Sequence, residues 1–303
     1  MNAEFYNRLL NIIEANRIYR DEPMKKHTTF RVGGNADYFV IPKTKEEVEA
    51  VVQLCRQTGM PYYVLGNGSN LLVGDKGYRG VIIQIYKEMN KLEIEDELIK
   101  VQAGALLSKI GNAALEAGLA GFEFASGIPG TIGGAVVMNA GAYGGEMKDI
   151  LSDVTVLTQE GEILTLKKEE LELGYRTSIV AKNGYIVLEA VLQLRQGDKG
   201  EIEARMDELK RQRIAKQPLE FPSAGSTFKR PEGYFAGKLI ADAGLRGFQV
   251  GGAQVSEKHC GFVINKGDAT AADIVELMAQ VTQKVQEKFG VKLEPEVKRL
   301  GEF

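Results

Sequence analysis

Cysteine and histidine are scarce in this chain of 303 residues, which holds two of each. Cys55 and Cys260 lie far apart and form no metal-ligand spacing, so we expect neither a structural zinc site nor any other metal. Cys55 falls in an apolar helical pattern, which is typical of a small buried side chain. A disulfide between the two cysteines is the less favoured alternative.

Neither charge is in excess, because 38 lysines and arginines face 41 aspartates and glutamates and give a formal net charge of -3. This balance argues against a general nucleic-acid binder, although a local basic cluster can still hold a phosphorylated small molecule. We therefore expect a small-molecule partner and no nucleic acid.

Long apolar runs are also missing from the sequence. No stretch reaches the roughly 18 apolar residues that predict a membrane-spanning helix. Residues 1–16 predict an amphipathic helix and lack the uninterrupted apolar centre of a signal peptide. We therefore expect a cytoplasmic protein with no membrane partner.

Glycine is abundant in this sequence. It accounts for 35 of the 303 residues, a larger share than the roughly 7% of average proteins. The glycines are concentrated in residues 65–73 and 127–146, which contain no lysine or arginine. The second stretch is too apolar for a linker and too glycine-rich for an ordinary helix or strand. Hydrophobic residues at 44% and charged residues at 26% indicate a folded protein with room for two or three lobes.

Capping signals and apolar periodicity predict a mixed fold. A helix over residues 43–59 begins at the capping box of Thr44 and Glu47 and stops at Gly59. Further helices are predicted over residues 108–121, 201–218, 236–244 and 270–290. Strands or hairpins are predicted over residues 61–66, 79–85, 91–104, 153–166, 184–195, 259–265 and 291–301.

These elements divide the chain into three parts and indicate the α+β class. Residues 1–27 are an amino-terminal helix and lead-in. Residues 28–195 are a region of mixed helices and strands, with two subdomains that divide near residue 85. Residues 200–303 are a separate α+β lobe, which follows a shift in composition.

The two glycine-rich stretches favour a diphosphate site, because glycine lets backbone N–H groups approach a bound anion closely. Residues 65–73 nearly match the dinucleotide fingerprint, but Leu71 stands where its third glycine belongs, so a Rossmann site is a poor match. No phosphate-loop signature occurs. The apolar Ile128 and Ile132 suit a flat aromatic ring system. The alternative is that both stretches are structural turns.

Three motifs carry a family resemblance, residues 28–37, 65–73 and 127–146. They resemble the FAD-binding motifs of the UDP-N-acetylenolpyruvoylglucosamine reductases, which act in peptidoglycan precursor synthesis. The resemblance continues through residues 175–178, 224–229 and 293–297, and it covers nearly the whole chain.

The resemblance implies a fold and two cofactors. Residues 28–195 would be an FAD-binding domain of the vanillyl-alcohol-oxidase type, with two subdomains and no Rossmann unit. Residues 200–303 would bind the substrate, a UDP-sugar, and NADPH would reduce a non-covalently bound FAD. The positions that match the family's FAD-binding residues are Arg31, Gly66, Asn67, Gly68, Ser69, Asn70, Leu71, Gly127, Ile128, Pro129, Gly130, Thr131, Ile132, Gly133, Gly134, Ala135, Asn139, Gly141 and Ala142.

Three residues match the family's catalytic positions. Reduction of an enolpyruvyl ether builds negative charge on the substrate carboxylate, which calls for a cation or an acid aimed at it. Arg176 offers a forked, permanently charged partner, and Glu296, if protonated, offers a hydrogen bond. Ser226 would be the general acid that protonates the second carbon. Without the resemblance each of the three reads as an ordinary surface or turn residue.

The positions predicted to bind substrate are Tyr175, Lys216, Gly225, Lys229 and His259. The basic cluster of Lys210, Arg211, Arg213 and Lys216 is either a solvated helix face or a site for the uridine diphosphate. Tyr175 and His259 also have alternatives, as a packing tyrosine and as a polar residue at the start of a strand.

Two features depart from the wider family pattern. Arg230 stands where many relatives carry asparagine, which leaves the substrate contact of that position open. The chain is short between Tyr175 and Ala190, as in the subtype that lacks an extra substrate-closing loop. We expect a monomer.

Two other functions are alternatives to the reductase. One is a flavin oxidase or dehydrogenase of the related fold, in which Ser226 and Glu296 have no reason to converge. The other is a nucleotide-sugar-binding protein whose glycine-rich loops hold a ligand without turnover.

Overall fold

The computed structural model describes residues 3–303, so Met1 and Asn2 of the predicted amino-terminal helix lie outside the described residues. Eight α-helices are found in this range: α1 (Ala3–Leu10), α2 (Lys45–Thr58), α3 (Leu107–Ala117), α4 (Ile132–Val137), α5 (Ile179–Asn183), α6 (Lys199–Lys216), α7 (Ala236–Asp242) and α8 (Ala271–Phe289). Among residues 3–303, no helix is both long enough and apolar enough to cross a membrane.

The strands are short and numerous. The first nine are β1 (Ile18–Pro23), β2 (Asn35–Val40), β3 (Tyr62–Leu65), β4 (Leu71–Val73), β5 (Tyr78–Gln84), β6 (Leu92–Glu95), β7 (Leu98–Gln102), β8 (Leu119–Ala120) and β9 (Gly141–Ala142). The other nine are β10 (Gly145–Glu146), β11 (Leu151–Leu157), β12 (Ile163–Lys167), β13 (Ile186–Gln193), β14 (Arg195–Gln196), β15 (Gln249–Val250), β16 (Ala253–Val255), β17 (Val263–Asn265) and β18 (Lys298–Leu300).

The chain forms two compact units, each made of three separate segments. Unit 1 contains Met1–Tyr19, Tyr38–Asn67 and Gly80–Arg213, and unit 2 contains Arg20–Asp37, Gly68–Arg79 and Ile214–Phe303. The functional boundaries near residues 28, 85, 195 and 200 stay a prediction.

Unit 1 is built on an antiparallel sheet with the strand order β12-β11-β13-β7-β6. The predicted hairpin over residues 91–104 is the β6–β7 pair, and the one over residues 153–166 is the β11–β12 pair. Strands β3 and β5 run parallel in a second sheet. The apolar residues Val48, Val51, Val52 and Cys55 of α2 are buried in the same core, because their spacing places them on one face of the helix.

The predicted ends of α2 are confirmed. The side chain of Thr44 accepts a hydrogen bond from the amide of Glu47 at 3.2 Å, and Gly59 closes the helix with a left-handed φ of 66°. Cys55 on this helix is fully buried, and burial raises the pKa of its thiol to about 12. Cys55 and Cys260 are both buried, free cysteines.

Unit 2 has its own core, in which helix α8 packs on the antiparallel sheet β15-β16-β17. Thr270 forms the predicted cap of α8 and accepts from the amide of Asp273. Asp75 adds a second cap from a distant segment, since its two carboxylate oxygens accept from the amides of Ala271 at 2.8 Å and Ala272 at 2.9 Å. Strand β4 pairs in parallel with the carboxyl-terminal strand β18.

Three local predictions were wrong. A helix, α4, forms inside the glycine-rich stretch 127–146, because Thr131 caps it and the buried Ile132 and Val136 anchor it. The strand predicted over residues 259–265 begins only at Val263, which places His259 in the preceding turn. The strand predicted over residues 291–301 is confined to β18.

Candidate active site

In unit 1 the two glycine-rich stretches meet at Thr131. A Cβ added to Gly66 would lie 2.5 Å from the Thr131 hydroxyl oxygen, so only glycine permits this approach. The same hydroxyl caps α4 by accepting from the amide of Gly134 at 3.4 Å. Gly134 itself is exposed, and an added Cβ there would meet no atom closer than 3.7 Å. The surface above the start of α4 is therefore bare backbone.

Several amides at this meeting point are free to bind a ligand. Within residues 3–303, the N–H groups of Gly66, Asn67, Gly130 and Thr131 donate to no protein acceptor. Convergent free amides and a helix amino terminus are a suitable environment for a diphosphate. The partly buried Ile128 lies beside them and offers apolar surface. This part of unit 1 therefore has the groups that a dinucleotide diphosphate requires, and the assignment of its residues to FAD stays a prediction.

Unit 2 holds the rest of the predicted cofactor loop. Gly68 has a φ of 66°, and an added Cβ would lie only 2.1 Å from the carbonyl oxygen of His27. The carbonyl of Gly68 accepts from the amide of Thr29 at 3.1 Å, so the loop packs against residues 28–37. Arg31, predicted to bind cofactor, is exposed on that segment with a φ of 56°.

The same unit brings Ser226 and Glu296 into neighbouring segments. The amide of Glu296 donates to the carbonyl of Thr227, the residue after Ser226, at 2.8 Å. The side-chain amide of Asn70 donates to the carbonyl of Glu296 at 3.2 Å. A residue of the cofactor loop is thus joined by hydrogen bonds to the segments of two predicted catalytic residues.

Thr227 anchors the Ser226 segment in the interior of unit 2. The sequence analysis did not identify this residue. Its side chain is fully buried and accepts from the amide of Val263 at 2.8 Å, while its own amide donates to the carbonyl of Gly261 at 2.8 Å. Ser226 is exposed, and Gly225 before it has a φ of 75° that favours glycine. Ser226 is therefore exposed on a turn that buried hydrogen bonds of Thr227 hold in place.

His259 helps to hold the Ser226 turn indirectly, through Gly261. Its Nδ1 accepts from the amide of Gly261 at 3.0 Å, and its ring meets the edge of Phe262 with centroids 5.0 Å apart. Burial lowers the pKa of His259, and the charge of Arg246 acts in the same direction. An accepting Nδ1 and a lowered pKa both indicate a neutral imidazole.

Arg176, the third predicted catalytic residue, belongs to unit 1. It lies in a tight turn in which Gly174 and Thr177 exchange two backbone hydrogen bonds of 3.1 and 3.3 Å. Its guanidinium carbon lies 5.2 Å from the centre of the Tyr175 ring, which is 53% exposed. The guanidinium of Arg176 therefore lies over the ring of Tyr175.

The two lysines predicted to bind substrate, Lys216 and Lys229, lie in unit 2. Lys229 is half-buried and its ammonium lies 3.2 Å from the carboxylate of Glu294. Lys216, at the end of α6, is exposed. Arg230, the departure from the family pattern, has its guanidinium 4.2 Å from the centre of the Phe235 ring.

Within the basic cluster, Arg213 differs from Lys210 and Arg211 in its exposure to solvent, and all three lie in unit 1. The latter two are exposed, whereas Arg213 is half-buried and packs on Gly127, whose added Cβ would lie 3.6 Å from the Arg213 Cδ. Burial lowers the pKa of Arg213. Among residues 3–303 no ion pair or hydrogen bond engages its guanidinium. A half-buried cation without an anion partner is a candidate phosphate site.

Comparison with known proteins supports the reading of both glycine-rich stretches. A family model described as an FAD binding domain matches residues 36–167, and one described as the C-terminal domain of UDP-N-acetylenolpyruvoylglucosamine reductase matches residues 217–300. A UDP-N-acetylenolpyruvoylglucosamine reductase of Clostridioides difficile is 56% identical over 301 residues, with 99% of each chain covered. That of Agathobacter rectalis is 55% identical over 315 residues, with 100% of each chain covered.

Solved structures agree with the sequence matches. The crystal structure of the UDP-N-acetylenolpyruvylglucosamine reductase of Thermus caldophilus matches with a TM-score of 0.80 and 39% identity, over 93% of this chain and 98% of that one. Alkyldihydroxyacetonephosphate synthase matches with a TM-score of 0.50 and 18% identity, over 65% of this chain and 41% of that one, which is a likeness of fold alone. The predicted α+β class, with an FAD-binding lobe of the vanillyl-alcohol-oxidase type, is confirmed.

Proposed function

Because the chain belongs to the UDP-N-acetylenolpyruvoylglucosamine reductase family, we propose that it reduces UDP-N-acetylglucosamine enolpyruvate to UDP-N-acetylmuramate with NADPH as electron donor. It is an oxidoreductase with an FAD-binding domain. The observation that carries the proposal is the hydrogen-bonded connection of the cofactor-loop residue Asn70 to the segments of Glu296 and Ser226.

The FAD is proposed to bind without a covalent link. The free amides of Gly66, Asn67, Gly130 and Thr131 suit its diphosphate, and the bare surface at Gly134 leaves room for a flat ring. When bound and reduced by NADPH, the flavin supplies the hydride that reaches the methylene carbon of the substrate.

Arg176 and Glu296 are proposed to stabilise the charge that develops on the substrate carboxylate. A guanidinium binds a carboxylate through two parallel hydrogen bonds, and it stays charged at every relevant pH. Glu296 can share the same group only as a protonated acid, which donates a hydrogen bond where a carboxylate would repel. Both residues lower the free energy of an enolate-like intermediate on the substrate.

Ser226 is proposed to deliver the proton to the carbon that bears the carboxylate. A hydroxyl is a weak acid, so it serves when the acceptor is a strongly basic carbanion, which this reaction produces. The exposed position of Ser226, on a turn that the buried Thr227 anchors, supports this role.

Substrate binding is proposed to use the substrate's diphosphate and aromatic base. Arg213 is a half-buried cation for which residues 3–303 provide no ion pair, so we assign it to a diphosphate, with Lys216 and Lys229 as further cations. Tyr175 offers an exposed ring for stacking.

We further propose a monomeric, cytoplasmic enzyme whose FAD domain ends near residue 195.

The test is spectroscopic. The purified holoprotein should be yellow, its flavin absorbance should bleach on anaerobic addition of NADPH, and the enolpyruvyl substrate should restore it. Restoration by oxygen alone would indicate an oxidase. Binding of the nucleotide sugar with no NADPH consumption would indicate a binding protein. Protein that stays colourless after loading with FAD would refute the proposal.

A further inference from the structure

Asn139, predicted from the sequence as a cofactor ligand, uses its side chain for internal hydrogen bonds in unit 1. It is 1% exposed. Its Nδ2 donates to Oε2 of Glu146 at 2.8 Å and to the carbonyl of Gly174 at 3.1 Å. Its Oδ1 accepts from the amide of Lys148 at 2.9 Å. Because a side-chain amide has two donors, both N–H groups already have partners.

Gly174 begins the turn that carries Arg176. Arg176 has a φ of 56°, a strained conformation that persists only where the surroundings hold it. The Asn139 bond to the Gly174 carbonyl holds one side of the turn. The hydroxyl of Ser178 holds the other side, by donating to the carbonyl of Val137 at 2.8 Å. The turn is therefore fastened on both sides to the carboxyl end of α4.

Glu146 adds an electrostatic link to the same turn. A hydrogen bond from Lys148 holds the pKa of Glu146 below its ordinary value, and Asn139 and the positive charge of Arg176 add to this effect. The Lys148 ammonium lies 3.0 Å from the carboxylate. Glu146 is thus ionised and attracts the Arg176 guanidinium, while Asn139 fixes the position of the carboxylate.

The amino end of α4 carries the predicted cofactor site. Thr131 caps it and touches Gly66, as described above. The helix has six residues, so it spans about 9 Å. One short helix therefore joins the free amides at one end to the Arg176 turn at the other.

We propose that Asn139, together with Glu146, is a positioning residue that sets Arg176 at a fixed place relative to the flavin site. It does so by holding the Gly174 carbonyl and the Glu146 carboxylate, with no contact to FAD. This inference rests on the proposed role of Arg176.

The test compares Asn139→Gly holoenzyme with wild type in two half-reactions followed by stopped-flow flavin absorbance. Asn139 has a φ of 43°, so glycine removes the side chain without straining the backbone. FAD content and reduction by NADPH should stay normal. Reoxidation by the enolpyruvyl substrate should slow by about tenfold or more, because a small misplacement of a binding group is costly. Asn183→Ala, at an exposed asparagine, is the matched control.

A double variant separates positioning from a direct role. If Asn139 acts only through Arg176, Asn139→Gly in an Arg176→Lys background should cause no further loss in the second half-reaction. Equal slowing of both half-reactions, or loss of FAD, would overturn the inference. Should Asn139→Gly fail to fold, Glu146→Gln and Ser178→Ala provide the same comparison. A normal second half-reaction in Arg176→Lys alone would instead refute the proposed function of Arg176.

Discussion

The side-chain amide of Asn70 donates to the main-chain carbonyl of Glu296 at 3.2 Å, across 226 positions of sequence. The amide of Glu296 in turn donates to the carbonyl of Thr227, directly after Ser226. These two bonds join the predicted cofactor loop to the segments of two predicted catalytic residues within unit 2. The segments that carry the proposed proton donor and acid are therefore connected by hydrogen bonds to the loop expected to bind the flavin.

Arg176→Lys should slow reoxidation of the reduced flavin by the enolpyruvyl substrate by about 100- to 1,000-fold. Lysine keeps the charge but loses the forked pair of donors that matches a carboxylate. Reduction by NADPH should be unchanged, and stopped-flow absorbance measures both steps. Arg205→Lys, on the exposed face of α6, is the control. Equal rates in the Arg176→Lys and Arg205→Lys variants would show that Arg176 does not bind the carboxylate.

Arg213→Gln should weaken binding of a diphosphate by about 10- to 100-fold, the range expected for a lost hydrogen bond to a charged group. A raised KM for the nucleotide sugar would show that Arg213 binds the substrate diphosphate, and a raised dissociation constant of FAD would show that it binds the cofactor diphosphate. Lys210→Gln and Arg211→Gln remove exposed charges from the same helix and should change neither constant. If Arg213→Gln resembles these controls in both measurements, the phosphate assignment is wrong.

Asp75→Ala should lower the free energy of unfolding by about 1–2 kcal/mol, because it removes a cap from the start of α8. Urea denaturation followed by circular dichroism measures the change. Asp207→Ala on α6 removes an exposed carboxylate and serves as the comparison. Identical midpoints for the two variants would contradict the capping role.

Glu47 should make stability depend on pH in the acid range. Burial raises the pKa of this carboxyl. Opposing interactions, which include a hydrogen bond from Arg17 at 2.6 Å, outweigh burial and leave the pKa below its ordinary value of 4.5. A lowered pKa in the folded state contributes stability above pH 4.5, and that contribution disappears as the pH falls through the folded-state value.

Glu47→Gln should therefore lower the free energy of unfolding at pH 7 by about 1.5–3 kcal/mol and flatten its decline in acid. Urea denaturation at a series of pH values tests this. Glu116→Gln, at an exposed site on α3, should leave the profile unchanged. A Glu47→Gln profile parallel to that of wild type would show that the ion pair with Arg17 does not contribute.

Local signals predicted much of the fold. The ends of α2 at Thr44 and Gly59 and the cap of α8 at Thr270 were readable, because a cap depends on residues close in sequence. Helix α4 was not predicted, since its stability comes from Ile132 and Val136 packing in the core and overrides poor glycine propensity.

The site was less accessible to sequence reasoning than the fold. Ser226 entered the prediction only through the family resemblance, because nothing local distinguishes it from a turn serine. The bond of Asn70 to Glu296 and the anchoring of the Arg176 turn by Asn139 link residues distant in sequence, so no short motif signals them. The assignments of the site residues stay predictions.

The proposed role of Ser226 is tested by the two half-reactions of the Ser226→Ala holoenzyme. NADPH should bleach the flavin at the wild-type rate, whereas reoxidation by the enolpyruvyl substrate should fall by about 100- to 10,000-fold, the usual contribution of a general acid. Ser223→Ala, three residues earlier, should retain both rates. Reoxidation of the Ser226→Ala enzyme at the wild-type rate would show that Ser226 does not deliver the proton.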